Sequence, residues 1–210
     1  MFENHPIYLV DSDAAYRRRL ALDLRNQGME IRTFVSEREL IQAVEGLPAG
    51  CILLAIRTQE PGDQDVICTL LARRSDMPII VMRVEPSIQE AVQALRVGAV
   101  DCLTIPCPMP KMRAALEYAF QLLPSKIADR ESVAVAIGLR AHLTRREEDV
   151  LQGIVAGMTN RAIAQHLSIG VRTVEMHRAN LMQKLRVDNL PSLLRFAALA
   201  GITISSEDAA

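Results

Sequence analysis

Five short apolar segments alternate with five amphipathic ones over the first 122 residues of the chain. Each apolar segment ends in polar or turn-forming residues and is typical of a buried strand, at 7–10, 31–35, 52–56, 78–82 and 100–104. The stretches that follow them, at 14–27, 36–46, 65–74, 87–97 and 108–122, carry apolar side chains at helical spacing. Five consecutive strand–helix units predict a parallel sheet with helices on both faces.

The third apolar segment breaks off abruptly within CILLAIRTQEPG, residues 51–62. An apolar run to Ile56 gives way to a polar loop that contains Pro61 and Gly62. In open α/β sheets, ligands and chemistry collect in the loops beyond the carboxyl ends of the strands. We take Ala55 as the last position of this strand, and its methyl group is inert. A reactive group therefore lies elsewhere, or the site has lost its reaction.

The composition indicates a globular chain without a membrane segment. Half of the 210 residues are apolar and only 3% are aromatic, so the cores are built from aliphatic side chains. The four cysteines show no zinc-binding spacing, which is typical of reduced thiols. The N-terminal residues lack the features of a signal peptide, and no uncharged apolar stretch is long enough to span a membrane. We expect a cytoplasmic protein that holds no metal or cofactor.

The charge divides unevenly along the chain. Residues 141–202 hold eight basic and five acidic side chains, whereas residues 1–140 hold sixteen basic and eighteen acidic ones. A weakly acidic front and a basic back predict two modules with different partners.

The front module resembles a response-regulator receiver domain, a flavodoxin-like fold, from Ile7 to about Leu122. The segments IYLVDSD, PIIVM, VQALRVGAVDCL and IPCP occur in the order and spacing of that family. The resemblance implies an acidic pair that holds Mg²⁺, an aspartate that accepts a phosphoryl group, and a hydroxyl and an ammonium that bind its oxygens.

Only the first of those functional positions is retained in this sequence. Asp11 keeps the first acidic position, and every other position has changed type: Ser12 replaces the second acid, Ala55 the phosphoacceptor, Arg83 the hydroxyl residue, Ile105 the lysine and Cys102 the switching aromatic. A methyl group cannot accept a phosphoryl group, and neither Asp13 nor Glu60 ends the third strand. We therefore expect a degenerate receiver with no catalytic residue.

Two interpretations of the altered pocket remain open. We favour an ion pair between Asp11 and Arg83, since a guanidinium would replace the charge of the missing cation. The alternative is a new anion-binding site. Cys102 and Cys107 bracket the end of the fifth strand and raise the further alternative of a redox switch, although free cysteine is most often an inert small hydrophobe.

The back module is predicted to be a series of four helices. Thr144 to Glu147 has the spacing of a capping box, and Gly157 ends the first helix. A short second helix follows Thr159, and the residues 168–170 form a turn before a long third helix from Val171 to Leu185. The third helix has one apolar row, Val174, Leu181 and Leu185, and a fourth helix spans 191–199.

This module resembles the LuxR-type helix-turn-helix domain over about 60 residues. LTRREEDVL, AGMTNRAIAQHLSI and RTVEMHRANLMQKL match that family in order and spacing. Ser168 and Gly170 invert the usual glycine and serine of the turn. Because glycine is an acceptable N-cap, we expect the turn to form.

The resemblance implies that the third helix enters the major groove of double-stranded DNA. Helical spacing and the resemblance make Glu175, Met176 and Ala179 the candidate base readers. The candidate phosphate contacts or other DNA-binding positions are Asn160, Arg161, Arg172, Thr173, Arg178 and Lys184. The modest positive charge predicts weak binding by one domain, so a homodimer on two half-sites is expected.

Together these features predict a FixJ-like transcriptional regulator that works without aspartyl phosphate. The expected domains are a receiver-like domain at 1–122, a linker at 123–141 and a DNA-binding domain at 142–205. The linker contains an apolar stretch, SVAVAIGL, that could pack against either domain. Two alternatives stay open: an adaptor whose receiver docks a protein partner, and a one-component regulator that responds to a ligand or to oxidation.

Overall fold

The computed structural model describes residues 5–57 and 63–202, which form two compact units that divide after Arg130. Glu60 and the end of the predicted DNA-binding domain beyond residue 202 lie outside the described residues.

The first unit is built on a five-stranded parallel sheet. Its strands are β1 (Ile7–Val10), β2 (Ile31–Phe34), β3 (Cys51–Ile56), β4 (Ile79–Val84) and β5 (Asp101–Ile105). They are ordered β2-β1-β3-β4-β5, which is the flavodoxin-like order, so the predicted fold class is confirmed. β3 ends at Ile56, one residue beyond Ala55, which the sequence analysis took as its last position. All six residues of β3 are buried because strands pair with both of its edges and helices cover both of its faces.

Alternate side chains of the central strands pack into two separate cores, one on each face of the sheet. Leu53 and Ala55 face one core, and Leu54 and Ile56 face the other. The covering helices are α1 (Ala14–Asn26), α2 (Glu37–Ala43) with a 3-10 turn at Val44–Gly46, α3 (Asp63–Arg73) and α4 (Ile88–Arg96). Successive side chains of a strand point to opposite faces of the sheet. The residue at the end of a strand therefore lies on the same face as the residue two positions before it.

The segment predicted as a linker is helical. Helix α5 (Met109–Arg140) begins in the first unit, contains Pro124 and continues to the end of the apolar stretch. Proline interrupts the hydrogen bonds of a helix interior, which is why the sequence suggested a break there. Beyond that proline, Ala136 is buried in the core of the second unit, and Arg140 bonds to Glu148, so local packing holds the helical conformation.

The second unit contains the four helices that the sequence predicts. They are α6 (Arg145–Val155), α7 (Asn160–His166), α8 (Val171–Leu185) and α9 (Leu190–Leu199). A complete capping box joins Thr144 and Glu147 at the start of α6, as predicted. The apolar row of α8 is also confirmed, because Val174, Leu181 and Leu185 are all buried in one core.

Candidate functional site

The carboxyl ends of the parallel strands bring the altered pocket positions to one edge of the sheet. Asp11 follows β1 directly, and in the strand register Ile56 pairs with Arg83 and Val84 with Ile105. Asp11, Ala55, Arg83 and Ile105 are buried, whereas Ser12 is exposed. The strand ends therefore bring Asp11, Ala55, Arg83 and Ile105 to one edge of the sheet, where two of the four side chains are apolar and two are charged.

A two-pronged ion pair occupies this edge between Asp11 and Arg57. The Nε atom of Arg57 donates to Oδ1 of Asp11 at 2.6 Å, and its Nη2 atom donates to Oδ2 at 2.9 Å. The Asp11 carboxylate is fully buried, and the Arg57 side chain is 23% exposed. The hydrogen bond to Asp11 raises the pKa of the Arg57 guanidinium, so the group stays charged. Such planar forks are among the stronger ion pairs in proteins.

Other groups hold both partners of this fork in place. The Asp11 carboxylate also accepts from the backbone N–H of Asp13 at 2.8 Å, and the Asp11 carbonyl accepts from Arg17. The Arg57 guanidinium lies 5.3 Å from the ring centre of Tyr16 and 3.6 Å from a carboxylate oxygen of Asp13. Hydrogen bonds from the backbone of Tyr16 and Ala15, together with the Arg57 charge, lower the pKa of Asp13. The fork is thus a fixed part of the fold.

The predicted partner of Asp11 was wrong. Arg83 donates instead to Glu90 on α4 at 3.0 Å, and Glu90 also accepts from the backbone N–H of Ser87. Strand geometry explains the difference, because Asp11 and Arg57 continue the face of the sheet that carries Leu9 and Ala55, while Arg83 continues the opposite face. The strand order adds to this, since β3 is next to β1 and β4 is not.

Sequence reasoning missed Arg57 although two signals were available. Arg57 stands two residues after Ala55, so it points to the same side of the strand. In the order β2-β1-β3-β4-β5, the residues after β1 and β3 are neighbours. An arginine after β3 was therefore a nearer partner for Asp11 than one on β4.

The pocket offers little to a phosphoryl group or a metal ion. Ala55 supplies no nucleophile, and both oxygens of Asp11 are engaged by Arg57. Within residues 5–57 and 63–202, no group of three or more His, Cys, Asp or Glu side chains is arranged to hold a metal ion. The positive charges of Arg57 and Arg83 are paired with Asp11 and Glu90, which argues against the alternative of a free anion site.

Cys102 on β5 and Cys107 just after it are half-buried thiols. Burial raises the pKa of Cys102, and the nearby Arg83 charge offsets only part of this effect. Burial also raises the pKa of Cys107. Because the thiolate is the form that reacts with oxidants, these shifts disfavour the alternative of a redox switch.

The second candidate site is the exposed face of α8. The predicted base readers Glu175, Met176 and Ala179 are all exposed, and 52% of Met176 is accessible to solvent. They lie on the side of the helix away from the buried row that begins at Val174. The helix begins after Gly170, an N-cap that makes no side-chain hydrogen bond.

The predicted phosphate-contacting residues differ in how they are held. Arg161 and Arg172 are exposed, and Thr173 is half-buried. The Nη1 atom of Arg178 donates to Oδ1 of Asn160 at 3.1 Å, which ties α8 to the start of α7.

The last of these residues, Lys184, is engaged inside the second unit. Its ammonium donates to the Glu147 carboxylate at 2.7 Å. Burial alone would raise the pKa of Glu147, but hydrogen bonds from Lys184 and Thr144 hold it below the usual range. This contact favours a structural role for Lys184 over the predicted phosphate contact.

The turn between α7 and α8 forms despite its inverted residues. Ser168 adopts a left-handed conformation with φ of 55°, and Ile169 donates to the Ala164 carbonyl at 3.0 Å. Gly170 then starts α8 with an extended backbone, as the sequence predicted. Serine is strained where glycine would be relaxed, by about 1 kcal/mol, and the turn tolerates this cost.

Two family models match the chain, one in each unit. The response regulator receiver domain matches residues 7–117, and the model for bacterial regulatory proteins of the luxR family matches residues 141–197. The transcriptional regulatory protein FixJ of Bradyrhizobium diazoefficiens is 34% identical over 198 residues, which cover 93% of this chain and 96% of FixJ. The chain belongs to the FixJ-like response regulators.

Solved structures support this assignment of the FixJ-like chain over its length. The response regulator StyR is 30% identical with a TM-score of 0.58, and the match covers 93% of this chain and 98% of StyR. Full-length FixJ from B. japonicum is 33% identical with a TM-score of 0.52, covering 94% and 98%. The FixJ-like chain is thus a transcriptional response regulator with a LuxR-type DNA-binding domain, and the regulators it resembles point away from an enzyme.

The part of this FixJ-like regulator at 5–57 and 63–202 contains no helix that is both long and apolar enough to span a bilayer.

We predict that Arg57→Ala lowers the free energy of unfolding by about 1–3 kcal/mol, because it leaves the buried Asp11 carboxylate without its charged partner. Arg57→Lys keeps the charge but cannot form the fork, so an intermediate loss is expected. Urea unfolding followed by circular dichroism measures both changes.

Arg73→Ala is the matched control for this prediction, since Arg73 pairs with Glu45 at 3.2 Å on the surface. Exposed pairs contribute about 0–1 kcal/mol, so this variant should unfold almost as the wild type does. Equal losses for Arg57→Ala and Arg73→Ala would show that the fork carries no special stability.

Proposed function

We propose that residues 142–205 read double-stranded DNA by placing the exposed face of α8 in the major groove. The observation that carries this proposal is the division of α8 into two sides. The Val174 row is buried in the core, while Glu175, Met176 and Ala179 are exposed. A glutamate can accept a hydrogen bond from cytosine N4, and the methionine and alanine side chains can contact a thymine methyl group.

Phosphate contacts would orient this helix and supply most of the salt-dependent affinity. Arg161 and Arg172 are exposed and available for that role. Arg178 is held by a hydrogen bond to Asn160, so both side chains would face the DNA phosphates in a fixed arrangement. Thr173 completes the proposed set, and Lys184 would act indirectly by holding α8 against α6 through Glu147.

We predict that two substitutions on α8 separate these roles. Arg178→Ala should weaken binding to all duplexes alike and reduce the salt slope by about one, as expected for one lost phosphate contact. Glu175→Ala should change the preference at a single base pair by about 1–3 kcal/mol. Fluorescence anisotropy on an operator duplex, its single-base variants and a random duplex measures both effects.

Gln152→Ala, an exposed change on α6, serves as the control and should leave binding unaltered. If Glu175→Ala weakened binding to operator and random duplexes equally, Glu175 would not be a base reader.

We further propose that this regulator acts without aspartyl phosphorylation. Ala55 takes the position of the phosphoacceptor in the receiver resemblance, and a methyl group cannot form an acyl phosphate. The fork from Arg57 engages the Asp11 carboxylate that would otherwise be free for a cation. Ser12, Arg83 and Ile105 replace the remaining groups of the reaction.

We predict that acetyl phosphate with Mg²⁺ leaves the intact mass of the wild-type protein unchanged. Ala55→Asp restores a carboxylate alone, so we expect it to fall short of full Mg²⁺-dependent phosphorylation, because the guanidinium still occupies Asp11. Mass spectrometry of the intact protein measures both. An acid-labile gain of one phosphoryl mass by the wild type would refute the proposal.

A receiver that is not phosphorylated cannot use phosphorylation to bring two DNA-binding domains to two half-sites. We propose that this protein is instead a constitutive homodimer. Apolar side chains on α4 are exposed, with Ile88 84%, Val92 41% and Leu95 47% accessible, and Tyr118 on α5 is 51% accessible. Leu190 and Leu194 on α9 offer a second apolar surface in the other unit. Exposed apolar patches of this kind are typical of interfaces.

We predict a dimer by light scattering for untreated protein at micromolar concentration. Ile88→Asp should produce monomers if α4 forms the interface, and Leu194→Asp should do so if α9 forms it, because a charge would be desolvated there. Leu22→Asp on α1 changes an exposed leucine outside both surfaces and should have no effect. A wild-type monomer that binds its operator tightly as a monomer would overturn the proposal.

A further inference from the structure

A second buried ion pair lies at the end of the sheet opposite to the pocket. Asp76 stands in the turn between α3 and β4, at the amino end of the strand, and is 3% exposed. Arg74 donates to both of its carboxylate oxygens at 2.9 Å. The Nη1 atom of Arg74 also donates to the carbonyls of Val44 at 2.7 Å and Leu47 at 2.6 Å. Asp76 is therefore a rigid anchor.

Arg130, at the end of the first unit on α5, reaches the same carboxylate from a distant part of the sequence. Its Nη1 atom lies 3.3 Å from Oδ1 and 3.4 Å from Oδ2 of Asp76. Burial alone would raise the pKa of Asp76, but the hydrogen bonds from Arg74 and the charges of Arg74 and Arg130 lower it, so the carboxylate stays charged. Arg130 is 43% exposed, whereas Arg74 is 4% exposed. One partner is thus fixed, and the other can be released into solvent.

Arg130 lies in a part of α5 that has no buried residue to hold it in place. Leu123 is fully buried, and the next buried residue of the helix is Ala136, in the core of the second unit. None of the intervening residues is buried, a stretch of about 20 Å at the rise of an α-helix. Pro124 lies at the start of this stretch and lacks the N–H that would support the helix.

We propose that Asp76 and Arg130 form an ionic latch that holds the middle of α5, where no residue is buried, on the first unit. With the latch closed, the segment of α5 between Pro124 and Arg130 is held against the turn between α3 and β4 of the first unit. With the latch open, the helical segment after Pro124 opens more often. The latch goes beyond the proposed function, because it depends neither on how the pocket works nor on which DNA is read.

The test compares Arg130→Gln with Lys126→Gln, a matched loss of one positive charge at another half-buried position of the same stretch. Hydrogen exchange of the amides at 126–135 and cleavage after Glu131 by a glutamate-specific protease both report opening of this segment. Arg130→Gln should speed both by about two- to fivefold, the range expected for a partly exposed ion pair. Lys126→Gln should match the wild type.

A double-mutant cycle identifies the partner. If Arg130 acts through Asp76, Arg130→Gln should have no further effect in an Asp76→Asn background. Raising the NaCl concentration should speed opening in the wild type and leave Arg130→Gln unchanged, since salt screens an exposed pair. This salt comparison decides the matter even if Asp76→Asn does not fold. Equal protection of wild type, Arg130→Gln and Lys126→Gln would overturn the latch.

Discussion

A buried carboxylate needs a positive partner close by, and this requirement organises the carboxyl edge of the sheet. The parallel strands deliver Asp11 and Arg57 to neighbouring positions on one face, and the fork between them fills the place where the receiver resemblance implies a bound cation. Tyr16 packs beside the guanidinium, and the backbone of Asp13 donates to the carboxylate. The chemistry of the pocket follows from this pairing, because the charge that would attract a metal ion is already balanced within the chain.

The same constraint applies to the other buried charges. In the described ranges, five charged residues are buried: Asp11, Arg74, Asp76, Arg83 and Glu147. Each lies in an ion pair, and most of the pairs join different elements of the fold. Breaking a pair of this kind costs more than the pair contributes, since one charge is then left unpaired in a poor solvent. The pairs that join different elements therefore hold those elements together.

Much of the architecture could be predicted from the sequence, since it depends on patterns with a direct physical cause. Alternating apolar runs and amphipathic helices specified the sheet, and the spacing of Val174, Leu181 and Leu185 specified the buried side of α8. The partner of Asp11 was predicted wrongly because the choice of Arg83 considered charge alone and did not use the strand order of the predicted fold, in which β3, the strand before Arg57, lies next to β1. The helical path through Pro124 was missed because packing on both sides of that proline outweighs its local preference.

Asp11 and Glu147 use one arrangement in two unrelated domains. Each carboxylate accepts a backbone N–H from its own local turn, from Asp13 or Thr144, and each also binds a cation from a distant element, Arg57 or Lys184. The local hydrogen bond restricts the carboxylate on its own, so less conformational entropy is lost in forming the long-range contact. In the first unit this arrangement closes a pocket, and in the second it holds α8 against the start of α6. A change to either acid would therefore free a neighbouring element of its own domain from this contact.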